Sequence, residues 1–390
     1  MKVNLIKSSF YNEQETKDNL CAFIQWAQQL SMSQYCKKFE EMFAVRQWRK
    51  YCVFLNSGSS ANLILIQSLL NLGRLQKGDK VAFSSLTWAT NTMPLIQLWL
   101  VPIPVDVQLT TFNVSLSSFK KVVETNNIKA LFITNLLGWC DDSFWEIYNY
   151  CVENNIIILE DNCESMWTVF AGKKLGNYSL ASTFSTFVWH HMSTIEWGMV
   201  CTDDSDLYDM LVMVRAHGRD RNMNPERQQI IRQKNCINGF YSKYTFYTLW
   251  YNLRPNEITW FLWCEQLQYL DWTIKIRNDN AKLFIAAINK NTDFYQLKID
   301  HIDLFSNFAI PMICKSSEKF EYYLKKFEQA WVEIRPIVWW DITQQLFWKS
   351  VYWEHKQETN AKLIHEQGFY FGNSPEYTEE EINLLLSLLN

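Results

Sequence analysis

The sequence predicts an α/β protein with a mostly parallel central sheet covered by helices, followed by a smaller α+β domain. Short apolar runs alternate with helical segments from about residue 50 to residue 215. Strands that alternate with helices favour parallel pairing, and helices then cover both faces of the sheet. After about residue 255 the pattern changes to longer helices with a few strands. We therefore expect a large domain over residues 1–254, including a helical N-terminal segment, and a small domain over residues 255–390.

Apolar runs and helix-start signals predict the elements in order, beginning with a helical pattern in the first fifty residues. Buried strands are expected at 51–56, 80–85, 101–107, 129–135 and 156–161, and a later strand at 306–313. Helices are expected at 60–73, at 141–155 and over the long segment 256–288. The second of these opens on Asp141 and Asp142, which suit an N-cap position.

Composition and charge exclude several classes of protein. The chain has 390 residues, of which 48% are hydrophobic, and its 37 basic and 41 acidic residues leave a net charge of −4. This balance does not resemble a nucleic-acid-binding or polybasic membrane surface. No run approaches the roughly 18 apolar residues of a membrane span, and the charged N-terminus has no apolar core, so we expect a cytoplasmic protein. The 10 cysteines form no Cys-x-x-Cys or Cys-x-Cys pair, which argues against zinc or an iron–sulfur cluster.

The chain is poor in Gly and rich in Trp, with 11 and 18 residues respectively. Together they reach only the roughly 7% share that Gly alone has in an average protein. Several Trp residues also stand where a tight turn would favour Gly. We hypothesise that the natural host reads UGA as Gly; the alternative is a natural protein that is rich in Trp. The positions concerned are Trp48, Trp99, Trp167, Trp189, Trp197, Trp250, Trp260, Trp263, Trp331 and Trp339.

Three motifs can carry chemistry at strand ends. In "NSGSSANL" (56–63) a strand ends in small polar residues and a helix begins directly after them. The backbone N–H groups of such a turn can bind phosphate. In "LEDNCES" (159–165) Asp161 follows an apolar strand, where a carboxylate can hold a protonated pyridine nitrogen. In "SSLTWATN" Trp88 offers a flat face for an aromatic cofactor. Taken singly, an ordinary Ser-rich helix cap is the favoured explanation of the first motif and core packing that of Trp88, whereas a helix cap or loop salt bridge explains Asp161 about equally well.

Taken together, the motifs resemble one family across nearly the whole chain. The order "NSGSSANL", "LTWAT", "LEDNCES", "GKKLG", "STFVWHHMSTIEWGMV", "RAHGRDR" and "YNLRPNEI" is similar to the fold-type I sugar aminotransferases and dehydratases of the DegT type. The resemblance implies a fold-type I transferase that depends on pyridoxal or pyridoxamine phosphate and forms a homodimer. In such a homodimer the cofactor lies near the interface between the subunits.

The same resemblance implies the residues that hold the cofactor. Backbone N–H groups of Gly58 and Ser59 and the hydroxyl of Ser185 would bind the phosphate. Trp88 would stack on the ring, and Asp161 would pair with the pyridine nitrogen.

Further positions follow from the resemblance less directly. Asn252 would reach the phosphate bound by the neighbouring subunit, and Glu164 would support the ring's phenolic side or the catalytic base. Arg219, Arg221 and Arg254 are candidates for the diphosphate of a sugar nucleotide, because a planar guanidinium suits phosphate. A solvated or interfacial salt bridge is the alternative for each arginine.

The departure from the family pattern is at His190. Aminotransferases of the family place the lysine that binds the cofactor covalently six residues before the Glu of a Glu-Gly-Gly turn, and six before Glu196 is His190. An imidazole cannot form a stable imine, so we expect the cofactor to be held without a covalent bond. Of the functions of that lysine, histidine can perform only proton transfer, for which its ordinary pKa of about 6.5 is suitable.

A branch of the family with His-His at this place removes the C3 hydroxyl of nucleotide-linked 4-keto-6-deoxyhexoses, and this sequence is similar to it. The resemblance implies a 3-dehydratase in which His190 is the proton-transfer residue and L-glutamate regenerates the amine form of the cofactor. Other members use an iron–sulfur cluster with a Cys-x-Cys pair, which this chain lacks. The implied substrate is GDP-4-keto-6-deoxymannose or a CDP-4-keto-6-deoxyglucose type, for dideoxysugars of surface polysaccharide such as lipopolysaccharide O-antigen.

Two alternatives remain open. One is a nucleotide-sugar aminotransferase that uses another lysine, such as Lys173 or Lys174. The other is a catalytically silent homologue that binds the cofactor or a sugar nucleotide. His191 is expected to pack or to form hydrogen bonds, since neighbours in an extended segment point to opposite sides. His217, His301, His355 and His365 are expected to be surface or core residues, and no metal site is expected.

Overall fold

A computed structural model of the protein describes residues 2–188, 190–337, 341–352 and 359–390. Trp189, Trp339 and His355 lie outside the described residues. The strands are β1 (Tyr51–Leu55), β2 (Lys80–Ser84), β3 (Val101–Val105), β4 (Ile128–Thr134), β5 (Ile157–Asp161), β6 (Val169–Phe170), β7 (Lys173–Lys174), β8 (Ala181–Ser185), β9 (Gly198–Thr202), β10 (Ile302–Leu304), β11 (Ala309–Ile313), β12 (Ile334–Pro336) and β13 (Gly368–Gly372).

Helices precede, separate and follow these strands. They are α1 (Glu13–Trp26), α2 (Gln34–Gln47), α3 (Gly58–Asn71), α4 (Met93–Gln97), α5 (Leu116–Thr125), α6 (Phe144–Glu153), α7 (Ser205–Arg215), α8 (Pro225–Lys234), α9 (Glu257–Lys290), α10 (Ser317–Gln329), α11 (Leu346–Val351), α12 (Asn360–Gln367) and α13 (Glu379–Leu389). The helical N-terminal segment expected from the sequence is therefore α1 and α2.

The predicted α/β fold with a mostly parallel central sheet is confirmed. The sheet has the order β1-β9-β8-β5-β4-β2-β3. Strands β3, β2, β4, β5 and β8 pair in parallel, whereas β9 runs antiparallel to both β8 and β1. All parallel strands therefore present their carboxyl ends at one edge, where sites form in sheets of this kind.

The strand β9 brings two parts of the chain together at that edge. Gly198 pairs with Ser185 on one side and with Leu55 on the other. A side chain on Gly198 would collide with the carbonyl of Ser57 and the N–H of Gly58. Only Gly allows this close approach, which seats the turn before α3 directly on the sheet.

The predicted strand and helix positions agree with the structure to within a few residues. Several strands have no counterpart among the expected ones, and in the central sheet these are β8 and β9, whose sequences mix Ser and Thr with apolar residues. The N-cap position of helix α6 is Ser143 instead of an aspartate, and the Ser143 side chain makes no capping hydrogen bond. Asp141 lies outside the helix and accepts a hydrogen bond from the Ser143 N–H at 3.0 Å.

A second sheet forms in the C-terminal part, with the order β11-β13-β12, and α9 connects it to the large sheet as one continuous helix. The N-terminal segment contacts both parts of the chain: α2 packs on β1, whereas α1 packs on α9 and Val3 pairs with Val332. The division into domains at residues 254 and 255 stays a prediction.

Four tryptophans have a left-handed backbone. Trp48, Trp99 and Trp331 stand at the ends of α2, α4 and α10 with φ of 61°, 65° and 58°, and Trp167 lies in a turn with φ of 67°. After each of the three helix-end tryptophans the next N–H bonds back to the helix: from Arg49 to Ala44 O, from Leu100 to Leu95 O and from Val332 to Phe327 O. This helix ending strongly favours Gly.

The three helix-end tryptophans are largely exposed: Trp48, Trp99 and Trp331 are 56%, 71% and 70% exposed. The indole N–H groups of Trp167, Trp197, Trp260 and Trp263 are buried without a hydrogen-bond partner among the described residues. Both observations support the hypothesis that Gly occupies such positions in the natural protein, which stays a prediction.

We predict that Trp48→Gly, Trp99→Gly and Trp331→Gly each raise the melting temperature. The left-handed conformation costs a non-glycine residue roughly 1–2 kcal/mol, and Gly removes this cost. Differential scanning fluorimetry would measure a rise of about 1–2 °C per substitution, since a chain of this length gains about 0.8 kcal/mol/K of entropy on unfolding.

Trp145→Gly and Trp272→Gly are matched controls, since these residues are 42% and 44% exposed but lie within the right-handed helices α6 and α9. Gly in a helix costs about 1 kcal/mol, so the controls should lower the melting temperature. An equal fall in melting temperature for the helix-end variants and for the two controls would rule out the hypothesis that Gly occupies the helix-end positions.

Candidate functional site

A cavity of about 330 Å³ opens at the carboxyl edge of the central sheet. Its volume lies within the roughly 300–1,000 Å³ typical of small-molecule sites. Strands β4, β5 and β8 and helix α3 all end or begin at its wall. The lining residues include Ser57, Gly58, Ser59, Trp88, Thr90, Asn91, Thr134, Asp161, Cys163, Glu164, Ser185, Phe187, His190 and Glu196. The structure thus brings together the predicted residues Gly58, Ser59, Trp88, Asp161, Glu164, Ser185 and His190.

One wall of this cavity is the start of α3. Ser57 is the N-cap, and its hydroxyl accepts a hydrogen bond from the Ser60 N–H at 3.1 Å. The first N–H groups of a helix have no acceptor within the helix, and the positive end of the helix dipole favours an anion. Ser185, at the end of β8, lies against Gly58, where an added Cβ would come within 2.8 Å of the Ser185 Cβ. The wall can therefore bind a phosphate through backbone and hydroxyl donors.

Asp161 lies across the cavity as the last residue of β5 and is buried. Its Oδ2 accepts hydrogen bonds from the side-chain amides of Asn62 and Asn91, both at 2.8 Å, and its Oδ1 accepts one from the Cys163 N–H at 2.9 Å. These donors fix the direction of the carboxylate. The sequence reasoning missed both asparagines, although Asn62 is part of "NSGSSANL" and Asn91 follows Trp88 by three residues.

His190 lies in the loop between β8 and β9. The backbone N–H of His190 donates a hydrogen bond to Phe187 O at 2.8 Å. The segment therefore turns here, and the expectation of an extended segment is wrong. Burial lowers the pKa of His190 to about 4, against the opposite effect of the nearby Asp161 carboxylate. The pKa is therefore lower than the ordinary value of about 6.5 that the sequence led us to expect. The imidazole is neutral throughout the physiological range, as a proton acceptor must be.

His191 has a different environment. Its Nε2 is 2.9 Å from Ser306 O, its ring packs edge-on against Phe308, and its carbonyl accepts a hydrogen bond from Arg277 at 2.6 Å. It lines neither the cavity just described nor the one that follows. The expected packing and hydrogen-bonding function of His191 agrees with these contacts.

A second cavity of about 710 Å³ adjoins the first. Trp88, Glu164, Phe187 and His190 line both. The remaining wall is mostly apolar and comes partly from the C-terminal sheet, a contribution that the sequence reasoning missed because it joins distant segments. The further lining residues are Ala89, Met93, Phe308, Arg335, Pro336, Ile342, Gln345, Phe347 and Tyr370.

Four predicted residues lie elsewhere in this chain. Asn252, Arg219, Arg221 and Arg254 line a separate polar cavity of about 510 Å³. Arg254 Nε donates to Asn252 Oδ1 at 2.9 Å. Within one chain these residues are therefore not brought to the cavity that contains His190.

The candidate lysines also lie elsewhere. Lys174 Nζ donates to Arg46 O, and neither Lys173 nor Lys174 lines the two adjoining cavities. His301 binds Cys140 O at 2.8 Å, and the ring of His217 packs against Trp250. Over the described ranges, no group of three His, Cys, Asp or Glu residues could hold a metal ion. Nor does any described helix have the length and apolar character needed to cross a membrane.

Fold and site define an α/β protein with a small-molecule site at the carboxyl edge of its sheet, and comparison with known proteins gives the family. A family model described as the DegT/DnrJ/EryC1/StrS aminotransferase family matches residues 12–389. The chain belongs to this family, which confirms the resemblance seen in the sequence.

Relatives of known activity cover almost the whole chain. A GDP-4-keto-6-deoxy-D-mannose 3-dehydratase of Yersinia pseudotuberculosis is 34% identical, over 98% of this chain and 97% of its own. The protein of the same name from Escherichia coli O55:H7 is 33% identical, over 92% of each chain. A solved GDP-4-keto-6-deoxymannose-3-dehydratase with a trapped PLP-glutamate geminal diamine superposes with a TM-score of 0.89 at 30% identity, covering 100% of both chains.

If the α3 turn binds a phosphate, as the resemblance implies, Gly58→Ala should weaken retention of pyridoxal phosphate. The new Cβ would press on Ser185 and displace the helix start from the sheet. Fluorescence titration with pyridoxal phosphate would show a raised Kd. Gly239→Ala is the matched control, because no atom lies within 4 Å of its added Cβ. Unchanged affinity in Gly58→Ala would place the phosphate elsewhere.

Proposed function

We propose that this protein is a pyridoxal phosphate-dependent 3-dehydratase that removes the C3 hydroxyl of GDP-4-keto-6-deoxymannose or a similar nucleotide-linked 4-keto-6-deoxyhexose. The observation that carries the proposal is His190, which occupies the family's lysine position and faces the cavity lined by Gly58, Asp161 and Ser185. The relatives from Yersinia pseudotuberculosis and Escherichia coli bear the name of this activity.

The chain's own residues fit the cofactor. The α3 turn and Ser185 offer donors for the phosphate, Trp88 offers a flat face, and Asp161, held by three N–H groups, would pair with the pyridine nitrogen. When bound as the amine form, the cofactor supplies a nitrogen for the sugar ketone and a conjugated ring that accepts an electron pair. Among the described residues that line the two adjoining cavities, none is a lysine, which supports non-covalent binding.

His190 supplies the proton transfer. It lies where the two cavities meet, so that a hexose in the larger cavity and a cofactor in the smaller one both come within its reach. Because burial keeps its imidazole neutral, it accepts a proton without first losing one. Phe187, Phe308 and Phe347 form apolar walls that exclude water and suit the methyl group of a 6-deoxy sugar.

L-Glutamate is the proposed amine donor. The solved dehydratase that contains a PLP-glutamate adduct covers this chain completely, and the sequence has no Cys-x-Cys pair for a cluster. Glutamate regenerates the amine form, and each turnover then releases ammonia with the 3,6-dideoxy-4-keto sugar. We place this product in the formation of dideoxysugars for surface polysaccharide, and the enzyme in the cytoplasm.

A homodimer with shared sites completes the proposal. The segment before Asn252 carries several exposed aromatic residues, and exposed apolar patches of this kind mark interfaces. The polar cavity with Asn252, Arg219 and Arg254 lies beside this segment. In the dimer these residues would meet the phosphates of cofactor and sugar nucleotide bound to the other subunit. The exposed residues are Phe240, Tyr241, Tyr244, Phe246 and Leu249.

The experiment is ammonia release from protein supplied with pyridoxal phosphate, L-glutamate and GDP-4-keto-6-deoxymannose. We predict turnover in the unaltered chain and a loss of about 10²–10⁴-fold in His190→Asn, because an amide of similar shape cannot take up the proton. His301→Asn is the matched control and should keep full activity, since His301 lines neither cavity.

Two results would contradict the proposal. An amino sugar formed without ammonia would indicate the aminotransferase. Cofactor binding with no turnover of GDP- or CDP-linked substrates would indicate the silent homologue.

A further inference from the structure

We propose that Arg277 of α9 is a positioning residue, which holds the histidine loop (residues 190–197, directly before β9) by binding the carbonyl of His191. The inference rests on the proposed function, in which His190 acts without a covalent bond to the cofactor. A lysine that is bound to its cofactor is held in place by that bond, whereas a histidine depends on contacts within the protein. The loop therefore needs an anchor of its own.

Arg277 is buried and binds two main-chain carbonyls. Its Nη1 donates to His191 O at 2.6 Å, and its Nε donates to Asn373 O at 3.1 Å. Asn373 directly follows β13, so the guanidinium joins the histidine loop to the end of the C-terminal sheet. Hydrogen bonds from an ionised donor are stronger than those between neutral groups, and a planar guanidinium can bind two acceptors at once.

The charge of Arg277 is not neutralised by an ion pair within the described ranges. Burial lowers its pKa to about 10, against the opposite effect of the Glu376 carboxylate, so the side chain stays charged near neutral pH. A buried cation without a carboxylate partner is costly, and here the two carbonyls compensate for the lost water. Removal of Arg277 should therefore act first on the two segments that supply these carbonyls.

The side chain of His191 completes a closed ring of hydrogen bonds. Its Nε2 donates to Ser306 O at 2.9 Å. The next residue, Asn307, accepts a hydrogen bond from Asn373 Nδ2 at 2.7 Å, and the same amide donates to Arg277 O at 2.8 Å. His191 is thus held at two points, through its carbonyl and through its imidazole. Since His190 is its neighbour in the chain, the ring also limits where His190 can lie.

The other main-chain hydrogen bonds of the histidine loop join it to nearby parts of the same segment. The His190 N–H donates to Phe187 O at 2.8 Å, and the Thr194 N–H donates to Thr186 O at 3.1 Å. These bonds do not tie the loop to the C-terminal part of the chain. A small cavity of about 60 Å³ adjoins the loop and is lined by residues of the loop and of α9. This space has room for water, so packing alone does not fix the loop.

The test measures the exposure of His191 in protein freed of cofactor, so it does not depend on activity. Diethyl pyrocarbonate modifies neutral imidazoles, and mass spectrometry of peptides assigns each modified histidine. His191 is 3% exposed, and burial lowers its pKa to about 3, so it is neutral but shielded from the reagent. In Arg277→Ala the loss of a charge-assisted hydrogen bond should open the loop more often and speed the modification of His191 about 10–100-fold.

Arg49→Ala is the matched control. Arg49 Nη2 also binds two main-chain carbonyls, those of Ser179 and Leu180 at 2.8 and 3.0 Å, but directly before β8 and not after it. This variant should leave the modification of His191 unchanged. Guanidinium ion at millimolar concentration should slow the modification again in Arg277→Ala, because it can occupy the space of the lost group. Methylammonium lacks the planar fork and should not.

Arg277→Lys is a second variant, which keeps the buried charge and so disturbs folding less than Arg277→Ala. Lysine cannot bind two carbonyls in the fixed geometry of a guanidinium. The rate at which His191 is modified in Arg277→Lys should therefore exceed that of the unaltered protein and stay below that of Arg277→Ala.

Turnover gives a second readout of positioning. Displacement of His190 should slow ammonia release in Arg277→Ala by up to about 10²-fold, with recovery in guanidinium and no change in Arg49→Ala. Unchanged modification of His191 in both Arg277 variants, an equal increase in Arg49→Ala, or faster modification with unchanged ammonia release would each overturn the inference. Absence of ammonia from the unaltered protein would instead overturn the proposed function, while the modification rates would still decide whether Arg277 holds the loop.

Discussion

The contact between Gly198 and the Ser57–Gly58 turn is the constraint on which the site depends. Because Gly198 has no side chain, the start of α3 can rest directly on β9. The same residue pairs with Ser185, so one short strand fixes the helix end, the hydroxyl of Ser185 and the loop that begins after it. That loop carries His190. The α3 turn proposed to bind phosphate and the histidine proposed to transfer protons are thus positioned by one set of backbone contacts.

Burial then sets the chemistry of the ionisable groups. Burial lowers the pKa of His190 and raises the pKa of Glu164, so each side chain favours its neutral form. Asp161 is also buried, and three N–H donors bond to its carboxyl group.

The sequence allowed the prediction of features that depend on local pattern. The strands of the parallel sheet, the α3 turn, Asp161 at a strand end and His190 in place of lysine all follow from short motifs read in order. The pair β8–β9 could not be predicted in this way, because its Ser and Thr residues are buried only by the strands on either side. Asn62 and Asn91 were missed for a similar reason, since they meet Asp161 only after folding. The pKa expected for His190 was too high because the burial of a side chain cannot be read from its neighbours in the sequence. The second cavity was missed because it joins segments more than 200 residues apart, from Trp88 to Tyr370.

The tryptophans with a left-handed backbone relate the unusual composition of the sequence to particular positions in the structure. The imbalance of Trp and Gly is visible in composition, but it does not show which positions matter. Backbone angles single out Trp48, Trp99, Trp167 and Trp331, and three of these end helices where the chain must reverse its twist. A side chain of any size destabilises this backbone conformation, and Trp, which has the largest side chain, is the residue least expected there.

The central claim is that this site binds its cofactor beside a histidine and without a covalent bond to the protein. The most direct measurement is borohydride reduction of the protein loaded with pyridoxal phosphate, followed by mass spectrometry of its peptides. We predict that no lysine carries the reduced cofactor and that dialysis removes the cofactor after reduction as readily as before. A reduced adduct on any single lysine would contradict the account, because that lysine and not His190 would then be the residue around which the reaction is organised.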